Sequence, residues 1–154
     1  MSAFTIRVYG ILKDEQQNII VSDENIRGNF FTKFPGGGLE FGEGTRDCLV
    51  REFKEEMNLA VQIKDHFYTT DFFQRSAFNP SHQIISIYYT VEALEPILVP
   101  HPKKPFEFSE AEQAVFAQTQ QIETFRRIPW EQFSAQDLSL PIDKIVAHLL
   151  KEKS

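Results

Sequence analysis

Residues 35 to 59 read PGGGLEFGEGTRDCLVREFKEEMNL, a glycine-rich segment that runs directly into a segment with helical spacing. The glycines end at Gly44, and Thr45 is a good N-cap because its hydroxyl can accept a hydrogen bond from the first helical turn. Asn58 tolerates the left-handed conformation, so it marks the predicted C-terminal end of the helix. The sequence therefore predicts a glycine loop followed by a helix that ends near Asn58.

Three glutamates of this helix, Glu52, Glu55 and Glu56, are spaced at i, i+3 and i+4 and therefore share one side. Like charges at this spacing repel each other and destabilise a helix by about 0.2–0.5 kcal/mol per pair. A bound cation would reverse the sign of that interaction, and magnesium prefers several oxygen ligands. For the three glutamates alone, a solvated acidic helix is the alternative. The adjoining apolar stripe is expected to face a core and consists of Val50, Phe53 and Met57.

The whole segment resembles the Nudix box, the signature of the Nudix hydrolases: Gly, five residues, Glu, seven residues, then Arg-Glu-apolar-any-Glu-Glu-any-Gly-apolar. Six fixed positions match, and they are Gly37, Glu43, Arg51, Glu52, Glu55 and Glu56. At about 6–7% usage for each residue type, a chance match in a chain of this length is on the order of one in a hundred thousand. Asn58 stands where the family has glycine, and Phe53 is bulkier than the usual aliphatic residue. Neither departure removes a carboxylate.

The resemblance implies a hydrolase that cleaves a nucleoside diphosphate linked to another group, with water attacking one phosphorus in the presence of a divalent metal. It implies that Glu52 and Glu56 hold Mg²⁺, with Mn²⁺ as the alternative ion. Glu55 would join directly or through water, and the backbone carbonyl of Gly36 would complete the coordination sphere. The glycines from Gly36 to Gly38 lack Cβ atoms, which lets the backbone approach metal and phosphate closely.

Glu43 and Arg51 are expected to form a bidentate guanidinium–carboxylate pair, which is geometrically specific. In the family this pair ties the loop to the helix, and a surface ion pair worth at most about 1 kcal/mol is the alternative. The resemblance leaves the general base open between Glu52 and an acid from a later part of the chain. The later candidates, in order of preference, are Glu123, Glu112 and Glu110. Solvated surface acids are the alternative for all three.

The rest of the chain shows strand and helix patterns in turn. Strand patterns cover residues 4–12, 19–21, 30–34, 61–73, 83–94 and 124–128, and helix patterns cover 110–119 and 140–151. The first two strands are expected to form a hairpin, and the strand over 83–94 is apolar enough to be central in a sheet. This order predicts the α/β class, with one mixed sheet and a helix on each face. The Nudix resemblance implies the same α/β/α sandwich, so residues 1–154 are expected to form a single Nudix domain.

The chain has 154 residues, of which 22 are acidic and 16 are basic, for a net charge of −6. This balance argues against binding to polymeric nucleic acid, which requires a basic surface to replace counterions. No stretch approaches 18 uninterrupted apolar residues, so we expect no membrane partner and a soluble, cytoplasmic protein. The single cysteine, Cys48, excludes an intramolecular disulfide and is expected to be a small buried packing residue.

The expected partner is a small nucleotide: a nucleoside triphosphate, an oxidised nucleotide or a nucleotide sugar. Phe72 and Phe73 are candidates for stacking on its base, with packing in the sheet as the alternative. Lys103 and Lys104 are candidate phosphate contacts, with solvation as the alternative. Two other functions compete, namely a catalytically silent nucleotide sensor with the same fold, and isoprenoid diphosphate isomerisation, which no cysteine outside the box supports. The sequence is compatible with a homodimer.

Overall fold

A computed structural model of the chain describes residues 2–99, 102 and 104–153. The backbone divides into two compact units, and each is built from two separate parts of the chain. The first unit comprises Met1–Leu12 with Pro35–Ile97, and the second comprises Lys13–Phe34 with Leu98–Ser154. The glycine-rich segment and its helix belong to the first unit. The expectation of a single domain stays a prediction.

Seven strands and three α-helices form the described part of the chain. The strands are β1 (Ala3–Leu12), β2 (Asn18–Ile26), β3 (Asn29–Lys33), β4 (Gly36–Gly38), β5 (Val61–Thr69), β6 (His82–Ala93) and β7 (Gln121–Pro129). The helices are α1 (Thr45–Met57), α2 (Glu110–Thr119) and α3 (Pro141–Lys153), with a short 3-10 helix at Ala135–Asp137. The α/β class predicted from the sequence is confirmed. The predicted helices at 110–119 and 140–151 correspond to α2 and α3.

The first unit is built on a mixed sheet with the strand order β4-β1-β6-β5. Strand β1 runs parallel to β6 and antiparallel to β4, and β5 runs antiparallel to β6. Strand β6 therefore has a partner on both sides, which confirms the prediction of a central strand. Helix α1 packs on this sheet through Phe53, whose ring lies 2.6 Å from the position that a Cβ on Gly10 would take.

The second unit is built on an antiparallel sheet with the strand order β3-β2-β7. Its apolar side chains at Ile19, Ile20 and Val21 are fully buried. The same sheet buries an ion pair, because Arg126 donates two hydrogen bonds to the Asp23 carboxylate, at 2.8 and 3.1 Å. Buried charges are tolerated when they are paired and hydrogen-bonded in this way. The strands thus form two sheets, one mixed and one antiparallel, and the predicted mixed sheet is that of the first unit.

The predicted hairpin between the first two strands is wrong. Strand β1 lies in the four-stranded sheet and β2 lies in the three-stranded sheet, and a bridge between Lys13 and Ile19 closes only the turn. The reason is that both edges of β1 are occupied, by β4 and by β6. The segment expected to be a glycine loop also differs, because Gly36–Gly38 pairs with β1 as a short edge strand.

No helix in the residues that the structure describes is long and apolar enough to cross a membrane.

Candidate active site

The glycine strand β4 lies against the carboxylate of Glu52. A Cβ atom on Gly37 would lie 2.5 Å from Cδ and Oε1 of Glu52, so only glycine leaves room for the carboxylate at this position. Gly36 has a φ of 151°, and a Cβ there would lie 2.1 Å from the carbonyl oxygen of Val8. The absence of side chains on these two glycines therefore allows the strand to pair with β1 and to touch α1.

The hydrogen-bond pattern fixes the direction of the glycine carbonyls. The Gly10 amide donates to the Pro35 carbonyl at 2.8 Å, and the Leu39 amide donates to the Ile6 carbonyl at 2.9 Å. These bonds flank the pairs that Gly36 and Gly38 make, so both glycines occupy non-hydrogen-bonded positions in the antiparallel ladder. Their carbonyl oxygens consequently point away from β1, toward the open edge of the sheet.

Arg51 links the glycine strand, the following turn and α1. Its guanidinium grips Glu43 with two hydrogen bonds, from Nε to Oε2 at 3.0 Å and from Nη2 to Oε1 at 2.7 Å. It also donates to the Gly38 carbonyl at 3.2 Å, to Glu52 at 3.0 Å and to Glu55 at 3.2 Å. The bidentate pair with Glu43 that the sequence predicted is present in the structure.

This pair shifts the protonation of both partners. Hydrogen bonding from Arg51 lowers the pKa of Glu43 from 4.5 to about 2, and the hydrogen bond to Glu43 raises the pKa of Arg51 above its ordinary value. Both groups are therefore charged over the whole physiological pH range. Glu43 also accepts a hydrogen bond from the Glu40 amide at 3.0 Å, which anchors the turn between β4 and α1.

The start of α1 differs from the prediction. The N-cap is Gly44, and the Asp47 carboxylate reaches back to accept a hydrogen bond from the Gly44 amide at 3.1 Å. Thr45, which the sequence predicted as the N-cap, is the first helical residue, and its hydroxyl is hydrogen-bonded to the Tyr89 hydroxyl at 2.6 Å. The predicted end of the helix at Asn58 is confirmed by a left-handed conformation with φ of 49°.

Of the two contacts that fix the start of α1, one could be predicted from the sequence and the other could not. Asp47 follows Gly44 by three residues, which is a spacing that a search for reciprocal N-terminal capping could have found. Tyr89 lies 44 residues from Thr45, and no local pattern announces their contact. Arg46 makes a cation–π contact with Tyr89, because its guanidinium carbon lies 5.0 Å from the centroid of the ring.

The side chains that α1 buries are not quite those expected. Phe53 and Met57 are buried as predicted, but Val50 is 44% exposed. Cys48 and Leu49 are fully buried in its place. Burial raises the pKa of the Cys48 thiol to about 12, which keeps it protonated and confirms that it is a packing residue.

The three box glutamates differ in exposure. The Glu52 side chain is 12% exposed, and that of Glu55 is 58% exposed and is paired with Arg51. Glu56 is partly buried and lies one turn after Glu52 on the same side of α1. The Glu52 carboxylate lies against the glycine strand.

These residues fit a hard divalent ion. Among the described residues, no three His, Cys, Asp or Glu side chains lie close enough to hold a metal by themselves. Magnesium is commonly held by one or two carboxylates, with water and substrate phosphate completing its shell. Glu52, Glu56 and the outward-pointing carbonyl of Gly36 supply such a set of oxygen donors.

Glu123, the first candidate for a later acid, lies within β7 of the second unit, opposite Glu24 of β2. Its carboxylate accepts a hydrogen bond from the Ser22 hydroxyl and lies 3.5 Å from the Lys33 ammonium. Lys33 is 3% exposed and also pairs with Glu24 at 3.0 Å. One buried lysine thus holds two carboxylates that face each other across the strand pair. The role of Glu123 as a base stays a prediction.

The other residues that the sequence predicted for the site lie in α2, after β5 and in the segment before α2. Glu112 is occupied in capping α2, since it accepts a hydrogen bond from the Ser109 amide at 2.7 Å, and Glu110 is exposed. Phe72 and Phe73 follow β5 and are 38% and 62% exposed, so the sheet-packing alternative is wrong. Lys104 is exposed, and Lys103 lies outside the described residues.

Comparison with known proteins agrees with this architecture. A family model described as the NUDIX domain matches residues 3–147. The NUDIX hydrolase from Nitrosomonas europaea has 12% sequence identity and a TM-score of 0.65, over 97% of this chain and 89% of that chain. The MutT protein from Methanosarcina mazei Go1 has 14% identity and a TM-score of 0.64, over 99% and 96%. An ADP-ribose pyrophosphatase from Streptococcus suis has 14% identity and a TM-score of 0.53, over 97% and 92%. At these identities the three structures show a shared fold.

Proposed function

Because the chain belongs to the NUDIX domain family, we propose that it is a Mg²⁺- or Mn²⁺-dependent pyrophosphohydrolase that cleaves a nucleoside diphosphate linked to another group. Membership of this family supports hydrolysis of phosphorus-containing acid anhydrides. The observation that carries the proposal is the Glu52 carboxylate, which is held between the Gly37 backbone and the Arg51 guanidinium.

Glu52 and Glu56 would hold the ion together with the Gly36 carbonyl, and Glu55 would contribute directly or through water. The ion, when bound, neutralises phosphate charge and lowers the pKa of a bound water. Arg51 and Glu43 fix the position of the glycine strand, because their bidentate pair joins α1 to the turn that follows β4.

The reaction consumes one water molecule and cleaves one P–O bond of the anhydride. The water oxygen bonds to one phosphorus, the bridging oxygen leaves with the other phosphate, and a carboxylate accepts the water proton. Glu52 is one candidate for this base because it is only partly exposed beside the strand. Glu123 is the other, because Lys33 and Ser22 keep its carboxylate in a fixed place. The pH–rate profile of Glu123→Gln separates them: loss of the acidic limb in this variant identifies Glu123 as the base, and an acidic limb that persists identifies Glu52.

The proposed substrate is a small nucleotide or nucleotide derivative. One structurally similar protein is named as an ADP-ribose pyrophosphatase, which adds ADP-ribose to the nucleoside triphosphates, oxidised nucleotides and nucleotide sugars that we propose to test. Exposed Phe72 and Phe73 supply aromatic faces that suit stacking on a base. A cytoplasmic location and a homodimer both stay predictions.

The test is a screen for released phosphate, pyrophosphate or nucleoside monophosphate over these compounds, with Mg²⁺ or Mn²⁺. We expect turnover of at least one compound by the wild-type protein and its loss in Glu52→Gln. Glu92→Gln is the matched control, because Glu92 is an exposed glutamate of the same unit that pairs only weakly with Lys64, at 3.9 Å. A screen without any turnover would overturn the proposal in favour of a nucleotide sensor.

A further inference from the structure

Arg7 lies beside the glycine strand, on the face of the sheet opposite α1. It stands directly across from Gly38 in the pairing of β1 with β4. A Cβ on the neighbouring Gly37 would touch Glu52, so that position faces α1. Side chains of successive residues point to opposite faces of a sheet. A Cβ on Gly38 accordingly has Nη1 of Arg7 as its nearest neighbour, at 3.8 Å.

The guanidinium of Arg7 is held by the tyrosine two residues along. Arg7 Nε donates a hydrogen bond to the Tyr9 hydroxyl at 3.0 Å. The Tyr9 ring packs on Tyr88, with ring centroids 5.2 Å apart, and the two tyrosines are 4% and 0% exposed. Arg7 itself is only partly buried. Its charged end is therefore supported by a rigid aromatic base while part of it stays accessible.

The α1 side of β4 carries mostly negative charge, which makes the positive charge of Arg7 important for binding an anion. The turn after β4 and helix α1 bring six carboxylates, those of Glu40, Glu43, Asp47, Glu52, Glu55 and Glu56. Arg51 is paired with four of them, by hydrogen bonds to Glu43, Glu52 and Glu55 and by a 3.7 Å ion pair with Glu40. A diphosphate at the edge of β4 would meet mostly negative charge from the α1 side. Arg7 supplies a cation from the opposite face of the same strand.

We propose that Arg7 binds the phosphate group that is not attacked, and so fixes the diphosphate against the glycine strand. A guanidinium can donate two parallel hydrogen bonds to a phosphate, which gives both affinity and orientation. Arg7 is then a substrate-binding residue that lies outside the glutamate motif. This inference rests on the proposed function, because it assigns one more contact to the same substrate.

The test measures binding without turnover. The probe is methylenediphosphonate, a diphosphate analogue whose carbon bridge is not hydrolysed, titrated calorimetrically in the presence of magnesium. We expect Arg7→Met to weaken binding about ten- to hundredfold, which is the range for loss of charged hydrogen bonds. The affinity of Arg7→Lys should lie between those of the wild type and Arg7→Met, because lysine keeps the positive charge but cannot donate two parallel hydrogen bonds. Arg46→Met is the control, because Arg46 is exposed and donates to the carbonyls of Ile63 and Lys64.

Tyr9→Phe distinguishes binding of the phosphate by Arg7 from positioning of Arg7 by the Tyr9 hydroxyl. It removes the hydrogen bond to Arg7 and keeps the guanidinium itself, so it should weaken binding less than Arg7→Met does. Unchanged thermal melting of Arg7→Met shows that the fold is intact. Equal affinity of wild type and Arg7→Met overturns the inference, and so does a wild-type protein that does not bind the probe. Absence of turnover on every nucleotide overturns the proposed function separately.

Discussion

The carboxylate of Glu52 occupies the volume that a side chain at position 37 would need, because a Cβ on Gly37 would lie 2.5 Å from Cδ and Oε1 of Glu52. These atoms are the end of a flexible side chain, so Gly37→Ala should displace the carboxylate and keep the fold. A displacement near 1 Å in a catalytic site lowers the rate by about a hundredfold. We expect that loss in kcat, with an unchanged circular dichroism spectrum.

Gly10→Ala is the contrasting variant. A Cβ on Gly10 would lie 2.6 Å from the buried ring of Phe53, so overpacking should destabilise the fold by about 1–3 kcal/mol. Chemical denaturation measures both variants. If Gly37→Ala keeps full kcat, the close approach of the glycine strand to Glu52 has no role in the reaction.

Removal of the charge on Glu56 should abolish turnover and spare the fold. Glu56→Gln keeps the shape of the side chain but loses the negative charge that would hold a divalent ion, so kcat should fall by orders of magnitude. The metal-free protein should become slightly more stable, by about 0.2–0.5 kcal/mol, because repulsion from Glu52 is relieved. Calorimetric titration with Mg²⁺ or Mn²⁺ should show weaker binding. Full activity at saturating metal would exclude Glu56 as an essential ligand.

The pair between Arg51 and Glu43 predicts a non-additive double-mutant cycle. Arg51→Ala should lower kcat without removing a proposed metal ligand, and Arg51→Lys should recover only part of it, because an ammonium cannot reproduce the bidentate contact. Adding Glu43→Ala to Arg51→Ala should have much less effect than the sum of the single changes. Strict additivity in kcat/KM would make the two residues independent and would reassign Arg51 to substrate phosphate.

The lowered pKa of Glu43 predicts how one part of the stability depends on pH. Its pKa falls from 4.5 to about 2 through the hydrogen bond from Arg51. A carboxyl whose pKa is depressed by folding stabilises the protein above its unfolded pKa, and this contribution is lost as the pH falls through the folded pKa. The difference in free energy of unfolding between wild type and Glu43→Gln should therefore be constant at neutral pH and shrink between pH 4.5 and about 2. A difference that grows on acidification would contradict the assignment.

Cys48 should be inert in the folded protein. Its thiol is fully buried and has a pKa raised to about 12 by burial, and the thiolate is the form that reacts with alkylating reagents. We expect iodoacetamide at pH 8 to modify the native protein at least about a hundredfold more slowly than the denatured protein. Mass spectrometry gives both rates. Similar rates would show that α1 opens readily.

Local signals in the sequence predicted most of the elements. The helix end at Asn58 depends on residues at most four apart, and the structure confirms it. Pairing between strands depends on long-range competition. Strand β1 has the pattern of one half of a hairpin, but residues from the glycine strand and from β6 take both of its edges.

In the candidate site, too, local contacts could be predicted from the sequence and long-range contacts could not. The pair between Arg51 and Glu43 could be predicted because both residues belong to one motif, eight residues apart. Thr45 has the chemistry of an N-cap, yet the hydroxyl of Tyr89 engages it from a strand 44 residues away. Nothing near Arg7 in the sequence indicates its place beside Gly38, because that neighbour comes from pairing between distant strands.

Strand β4 lies at the edge of its sheet and has a partner on one side only. It is held by its pairing with β1 and by the hydrogen bond from Arg51 to the Gly38 carbonyl at 3.2 Å. Opening this strand would leave the pairing of β1 with β6 intact. The free energy of that opening is therefore a local quantity, smaller than the free energy of global unfolding. Local opening of β4 would move the Gly36 carbonyl away from Glu52 while β1 and β6 stay paired, so release of a product from the proposed site requires no global unfolding.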